Sequence, residues 1–79
     1  MPIRPLKNTD INQQLANRIR DLRIRRKFTQ AKCAALAGMS RGFYQRLEGG
    51  QARFSLRSVE QLADAFGLEE RELLKGLGR

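Results

Sequence analysis

Apolar residues recur at helical spacing from the tenth residue onward. The first set, at spacings of four, four and three, comprises Ile11, Leu15, Ile19 and Leu22. This spacing places all four on one face of a helix. Thr9 or Asp10 can cap the start of that helix, because a side-chain oxygen at this position accepts a free backbone N–H. The helix is predicted to stop near Lys27, although no glycine marks its end.

Two shorter helices are each preceded by a hydroxyl residue and followed by glycine. Thr29 precedes QAKCAALA, which Gly38 closes, and Ser40 precedes RGFYQRLE, which the pair Gly49 and Gly50 ends. Hydroxyl side chains favour helix starts, and glycine readily adopts the left-handed backbone that ends many helices. The pattern therefore predicts two helices joined by a three-residue turn.

The last third of the chain predicts two more helices. Ser55 caps a fourth helix, which Gly67 stops, and a fifth covers about residues 69–75. The apolar stripe of the fourth helix is Leu56, Val59, Leu62, Ala63 and Phe66. Residues 1–9 contain both prolines and no periodic pattern, which predicts a flexible basic arm ahead of a domain spanning residues 10–79. No segment alternates as a strand does, so the predicted fold class is all-α, with five short helices packed compactly.

The third helix has two faces of different chemistry. At about 100° per residue, Tyr44 and Leu47 point one way, with Phe43 at the edge of that face. The opposite face carries Arg41, Gly42, Gln45 and Arg46. An arginine can pair with guanine and a glutamine with adenine in the major groove of DNA. On this helix alone, an ordinary solvated face is an equally good interpretation.

The preceding helix favours the DNA interpretation. Gln30 opens that helix, and the small Ala34 lies four residues before Gly38. A small residue allows two helices to cross closely, and glycine suits a left-handed turn, in which a Cβ would cost about 1 kcal/mol. Residues 30–48 therefore fit a helix-turn-helix unit, whose second helix enters the major groove.

The charge of the chain is strongly positive and unevenly distributed. It has 16 Lys and Arg against 8 Asp and Glu, a net charge of +8 and a pI near 11.1. Residues 1–57 hold 13 basic and 3 acidic residues, whereas residues 58–79 hold 3 and 5. A concentrated positive field favours nucleic acid as the partner, although basic surfaces also keep proteins soluble.

Composition argues against several other classes of protein. A single cysteine and the absence of histidine leave no disulfide within the chain and nearly exclude a zinc site. Cys33 is expected to be a small buried core residue and not a redox sensor. There is no glycine-rich phosphate loop and no paired carboxylates in an apolar setting, so we expect neither an enzyme nor a bound cofactor or metal.

The sequence also bears on where the protein is located and on which other ligands it could bind. No apolar run approaches the length of a membrane span, and the N-terminus lacks the apolar block of a signal peptide, so a cytoplasmic protein without a membrane partner is expected. The five aromatic residues form no stacking platform, which argues against RNA or single-stranded DNA. A chain of 79 residues leaves little room for a small-molecule pocket.

The order and spacing of several motifs resemble a known family. RIRDLR, TQ, LAGMS, LEGG and FSLRSVEQLADAFGL follow one another along the chain. Across about residues 15–74 the chain resembles the lambda-repressor-like, or XRE-type, helix-turn-helix domain of phage repressors and many small bacterial regulators. The resemblance implies a bacterial or phage-encoded, nucleoid-associated regulator of the repressor or controller type that binds double-stranded DNA.

Site residues can be carried over from this resemblance by position. The residues that would read bases are Arg41, Gly42, Gln45 and Arg46. The residues that would contact DNA phosphates are Thr29, Gln30, Ser40, Phe43 and Arg53. Phe43 can instead pack at the edge of the core, which is the favoured alternative. Arg23 of the first helix and Glu48 at the end of the third would form a structural ion pair.

Four positions depart from the family pattern. Lys27 stands where a glycine usually ends the first helix, so a strained or differently wound corner is expected there. Gly42 replaces a polar side chain at a frequent base-reading position, which leaves direct readout at that position open. Cys33 replaces the usual leucine, and Tyr44 is bulkier than the usual β-branched residue.

Partners follow from the same resemblance. Members usually bind as two-fold dimers on palindromic half-sites about one helical turn apart. Leu73, Leu74 and Leu77 are candidates for the dimer surface, unless the first two simply close the core. The alternative function is an antitoxin, which would regulate its own promoter and bind a toxin. The lack of a long extension after Leu74 argues mildly against it.

Overall fold

Five α-helices follow one another in the computed structural model, which describes residues 10–78 of the chain. They are α1 (Ile11–Arg25), α2 (Gln30–Ala37), α3 (Arg41–Glu48), α4 (Leu56–Phe66) and α5 (Glu70–Leu74). The described residues form no strand, which confirms the predicted all-α class. The predicted arm, residues 1–9, lies outside the described residues.

Short polar side chains begin four of these helices. Each of these side chains accepts a hydrogen bond from a backbone N–H two or three residues further on, and the capping residues are Asp10, Thr29, Ser40 and Ser55. Gly38 and Gly67 end α2 and α4 in the left-handed conformation, with φ of 72° and 69°. Such caps satisfy backbone groups that a helix end would otherwise leave free. The local signals in the sequence therefore correspond to real helix ends.

The end of α1 differs from the expectation. The helix ends at Arg25, two residues before the predicted stop, and Arg26 is its cap. Lys27 then adopts φ of 59°, the left-handed conformation that favours glycine. A glycine adopts this conformation more easily than a lysine does. The backbone at Lys27 is therefore strained, as the sequence led us to expect at this position.

The core lies where all five helices meet. α2 packs against α3 and α4, α1 packs against α3, and α4 packs against α5. The buried apolar side chains are Leu15, Ala16, Ile19, Cys33, Ala34, Ala37, Tyr44, Leu47, Val59, Leu62, Ala63, Phe66 and Leu73. The buried side chains of α2, Cys33, Ala34 and Ala37, are all small, so this helix can approach its neighbours closely. Its position, in turn, sets the position of α3.

The C-terminal leucines divide between the core and the surface, which corrects one prediction. Leu73 is fully buried, with 0% exposure, because it points from α5 into the core. It therefore cannot belong to a dimer surface, and the alternative that it closes the core is correct for this residue. Leu74 is 38% exposed and Leu77 is half-buried against the core.

Arginine side chains connect the ends of helices across the domain. Arg18 donates to the carbonyls of Leu73 and Lys75, both at 2.8 Å, and Arg26 donates to the carbonyl of Phe66, also at 2.8 Å. These carbonyls lie at the ends of α4 and α5, where the helix leaves acceptors without a partner. No helix of the described residues is long and apolar enough to cross a membrane.

Candidate nucleic-acid interface

The turn between α2 and α3 fixes the angle at which α3 leaves the domain. Gly38 makes the left-handed step, and the Met39 N–H donates to the Ala34 carbonyl at 3.0 Å. The Ser40 hydroxyl then accepts the Phe43 N–H at 3.1 Å and begins the next helix. Because each backbone step is set by a hydrogen bond or a glycine, the two helices form a rigid unit over residues 30–48.

The two faces of α3 differ in burial as well as in chemistry. Tyr44 and Leu47 are fully buried with 0% exposure, and they attach α3 to the core. The side that faces solvent carries the four residues predicted to read bases, Arg41, Gly42, Gln45 and Arg46, all of them exposed. Within residues 10–78, neither arginine of this face forms an ion pair with an acidic side chain. Two unneutralised guanidinium groups therefore stand beside a carboxamide on one exposed helix face.

Gly42 and Phe43 complete this surface in different ways. A Cβ added at Gly42 would meet no atom within 4 Å, so the folded chain has no steric need for glycine there. The Phe43 ring is half-buried and packs against the core. This agrees with the favoured alternative from the sequence, in which Phe43 packs at the edge of the core. The Arg46 guanidinium lies 5.8 Å from the centroid of that ring. A cation over an aromatic face is attracted to it, which restricts where the Arg46 side chain points.

A chain of side-chain hydrogen bonds connects α3 with α2 and α1. The Gln45 amide donates to Gln30 Oε1 at 3.2 Å, and the Gln30 amide donates to Glu48 Oε1 at 3.1 Å. Arg23 Nε donates to both carboxylate oxygens of Glu48, at 3.0 and 2.8 Å. A predicted base-reading glutamine and a predicted phosphate-binding glutamine are thus joined directly to each other. This chain of bonds orients Gln45 before any DNA is bound.

Arg23 and Glu48 form the ion pair at the inner end of that chain. The Glu48 side chain is 3% exposed, and Arg23 also donates to the Phe28 carbonyl at 3.0 Å. Burial lowers the pKa of Arg23, but the hydrogen bond and the charge of Glu48 raise the pKa more, so the net direction is upward. Arg23 and Glu48 bind each other, so neither side chain is available to DNA.

The residues predicted to contact phosphates lie at several places in the structure. Thr29 and Ser40 are exposed and serve as helix caps. Gln30 is half-buried and hydrogen-bonds to Gln45 and Glu48. Arg53 is exposed in the loop between α3 and α4. Phe43 lies at the core edge. Thr29 and Gln30 lie at the N-terminus of α2, where free backbone N–H groups favour an anion.

One polar contact of this region was not predicted from the sequence. Asn12, in the first turn of α1, hydrogen-bonds to backbone groups of the loop between α3 and α4. Nothing in the spacing of the residues points to it, since Asn12 is one of several polar residues near the start of α1 and its partners lie 40 and 42 positions away.

A rigid two-helix unit whose second helix exposes two guanidinium groups without acidic partners, beside a carboxamide, has the form of a DNA-binding helix-turn-helix unit. The chain belongs to the helix-turn-helix domain family, whose family model matches residues 14–75. This match confirms the resemblance found in the sequence. At this level the function is DNA-binding transcriptional regulation.

Comparison with solved structures gives two informative neighbours. The restriction-modification controller protein C.AhdI from Aeromonas hydrophila is 34% identical, with a TM-score of 0.74 over 81% of this chain and 96% of the controller. A hypothetical transcription factor, NHTF from Neisseria, is 24% identical, with a TM-score of 0.78 over 94% of this chain and 85% of that protein. The second likeness shows the fold alone. No curated protein matches the sequence.

Proposed function

We propose that the protein is a sequence-specific regulator that reads the major groove of double-stranded DNA with α3. The observation that carries this proposal is the exposed face of α3, with Arg41, Gln45 and Arg46 free of acidic partners while the opposite face is buried in the core. Bidentate arginine and glutamine contacts discriminate between bases. The N-terminus of α2 and Arg53 would contact the flanking phosphates.

The likeness to a restriction-modification controller supports a role as repressor or controller at an operator. A two-fold dimer on a palindromic site is the arrangement that such a short recognition helix favours, because one helix reads only a few base pairs. Leu74 and the half-buried Leu77 remain the proposed dimer surface. The 16 basic residues also support steep salt dependence of DNA binding.

Binding to selected and random duplexes tests the base-reading residues. Sites are first selected from random DNA, and mobility-shift titrations then compare Arg41→Ala and Arg46→Ala with the wild type. Each variant is expected to lose about 1–3 kcal/mol of binding free energy on the selected site, and much less on random DNA.

Arg71→Ala is the matched control for this experiment. It removes the same charge, but Arg71 lies on α5 and pairs with Glu69 at 3.0 Å. The control should bind both duplexes nearly as the wild type does. Equal losses on selected and random DNA for the α3 variants would show that these arginines do not read bases.

A further inference from the structure

The side chain of Asn12 bridges α1 and the loop between α3 and α4. Its Nδ2 donates to the Ala52 carbonyl at 3.0 Å, and its Oδ1 accepts the Phe54 N–H at 2.9 Å. A primary amide offers one donor and one acceptor side by side, as a backbone peptide group does. Asn12 therefore binds both backbone groups that flank Arg53.

These two bonds add a polar attachment to a loop whose Ala52 and Phe54 side chains also pack against the core. The loop, residues 49–55, has no regular structure, and its first part is held by the Gln51 N–H bond to the Arg46 carbonyl at 2.7 Å. A polar cleft of about 270 Å³ opens between the loop and the start of α1. Packing does not fill this cleft, so the Asn12 amide supplies the polar connection across it.

The geometry also determines the direction in which Arg53 points. Ala52 and Phe54 on either side are half-buried and pack against the core, whereas Arg53 is exposed. In an extended segment, alternate side chains point to opposite sides. By fixing the carbonyl before Arg53 and the N–H after it, Asn12 fixes the backbone from which the guanidinium projects.

We propose that Asn12 is a positioning residue for DNA binding, which holds Arg53 in place to meet a phosphate of the DNA backbone. This inference rests on the proposed function. Asn12 would act on DNA binding only indirectly, because both polar groups of its side chain already hydrogen-bond to the loop backbone. A preorganised cation loses less freedom on binding and so gives a tighter contact.

A double-mutant cycle in the full chain tests the coupling between the two residues. Asn12→Ala, Arg53→Ala and the double variant are compared with the wild type by fluorescence anisotropy on selected and random duplexes, from 50 to 200 mM salt. Each single variant is expected to lower the affinity up to about tenfold, equally on both duplexes, because a phosphate carries no sequence information. The slope of log affinity against log salt should fall by about 0.9 per protomer.

The decisive result is the effect of Asn12→Ala when Arg53 is already absent. Positioning predicts that the double variant binds no more weakly than Arg53→Ala, whereas independent roles predict that the two losses multiply. Multiplied losses, or an unchanged salt slope in Asn12→Ala, would overturn the proposal. A wild type that binds no duplex would instead overturn the proposed function itself.

Two further variants separate positioning from general damage to the fold. Asn12→Asp keeps the size and the acceptor for the Phe54 N–H but loses the donor to the Ala52 carbonyl, so it should also lower affinity and salt slope. Asn17→Ala, on the same helix, removes an exposed asparagine that accepts from Gln13 at 3.0 Å, and it should bind as the wild type does. Circular dichroism at the temperature of the titrations checks that every variant is folded. Wild-type salt slope in a folded Asn12→Asp variant would contradict the proposed role.

Discussion

The Tyr44 hydroxyl and the Cys33 thiol are buried in the core, as are the polar residues Glu48 and Ser58. Tyr44 and Cys33 are both 0% exposed, and the Tyr44 hydroxyl has no hydrogen-bond partner in the described part of the chain. Burial raises the pKa of the Cys33 thiol and the pKa of the Tyr44 hydroxyl above their ordinary values of 9.0 and 10.0. Both groups therefore keep their protons in the folded protein under conditions in which the unfolded chain loses them.

This difference predicts a loss of stability at alkaline pH. Above about pH 9 the unfolded state binds fewer protons than the folded state, so the free energy of unfolding falls as the pH rises. The expected slope is up to about 1.4 kcal/mol per pH unit for each group. Urea unfolding from pH 7 to pH 11 measures it. The double variant Cys33→Ala and Tyr44→Phe should show a shallower fall, and an equal fall in both proteins would contradict this explanation.

Lys27 shows backbone strain at a single residue. Its φ of 59° is the only positive value for a non-glycine residue between residues 10 and 78. Lys27→Gly is expected to raise the free energy of unfolding by about 1 kcal/mol, since the left-handed conformation places Cβ too near the backbone. For a domain of this size, that change raises Tm by about 4–8 °C in calorimetry.

Lys27→Ala is the control for this measurement. It removes the ammonium group but keeps Cβ, so the strain and the stability should remain close to those of the wild type. If the alanine variant gained as much stability as the glycine variant, charge repulsion and not strain would explain the effect. The exposed position of Lys27 makes the test independent of core packing.

At the scale of the elements, the ion pair between α1 and α3 orients the recognition helix. Glu48 accepts from Arg23 and from Gln30, and Gln30 in turn accepts from Gln45. Glu48→Ala is expected to lower the free energy of unfolding by about 3 kcal/mol, because it leaves the Arg23 guanidinium without its partner in a largely buried place. Urea unfolding at neutral pH measures this loss.

Glu48→Gln provides the comparison, since it keeps the shape and one acceptor while removing the charge. A smaller loss is expected for it than for the alanine variant. Full wild-type stability in Glu48→Ala would mean that the ion pair contributes nothing to the attachment of α3. In that case the direction of Gln45 would depend on packing alone.

Most of the helical architecture could be predicted from the sequence because its signals are local. Thr29, Ser40 and Ser55 begin helices within three residues of themselves, and Gly38 ends one at its own position. The end of α1 was harder, because no glycine marks it and the sequence left open whether the corner at Lys27 would be strained or wound differently.

The contacts that complete the interface could not be predicted in the same way. The bonds from Asn12 to the loop and from Gln30 to Glu48 join residues 18 to 42 positions apart. Periodicity shows which face of a helix is apolar, but it does not show which polar side chain meets a distant backbone group. For the same reason, the sequence could not decide between core and surface for Leu73, which the fold places in the core.

In the molecule as a whole, two adjacent leucines of α5 have different expected roles: the buried Leu73 stabilises the fold, and the exposed Leu74 is part of the proposed dimer surface. Leu74→Ser is expected to weaken the proposed dimer, because Leu74 is 38% exposed and its loss removes apolar surface without opening the core. Sedimentation velocity over a concentration series measures the shift toward monomer. Leu73→Ala should instead lower the free energy of unfolding by about 2–5 kcal/mol, as large-to-small changes in cores do.

Both outcomes are informative for the proposed dimer. An unchanged sedimentation profile in Leu74→Ser would place the dimer contact elsewhere, and Leu56, which is 86% exposed at the start of α4, would be the next surface to test. A monomeric wild type at every concentration would exclude a stable dimer in the absence of DNA. Circular dichroism of each variant checks that helix content is retained.

The open space around Gly42 means that the fold does not require a glycine at this position of α3. A Cβ added there would have no atom of another part of the described chain within 4 Å, and replacing a glycine within a helix usually adds about 0.5–1 kcal/mol of stability. Single substitutions at position 42 therefore change the exposed surface of α3 while leaving the core as it is. Under the proposed function, a change at position 42 would alter the DNA sequence that the domain prefers without altering its core, which makes this position a starting point for engineering a regulator with a new operator.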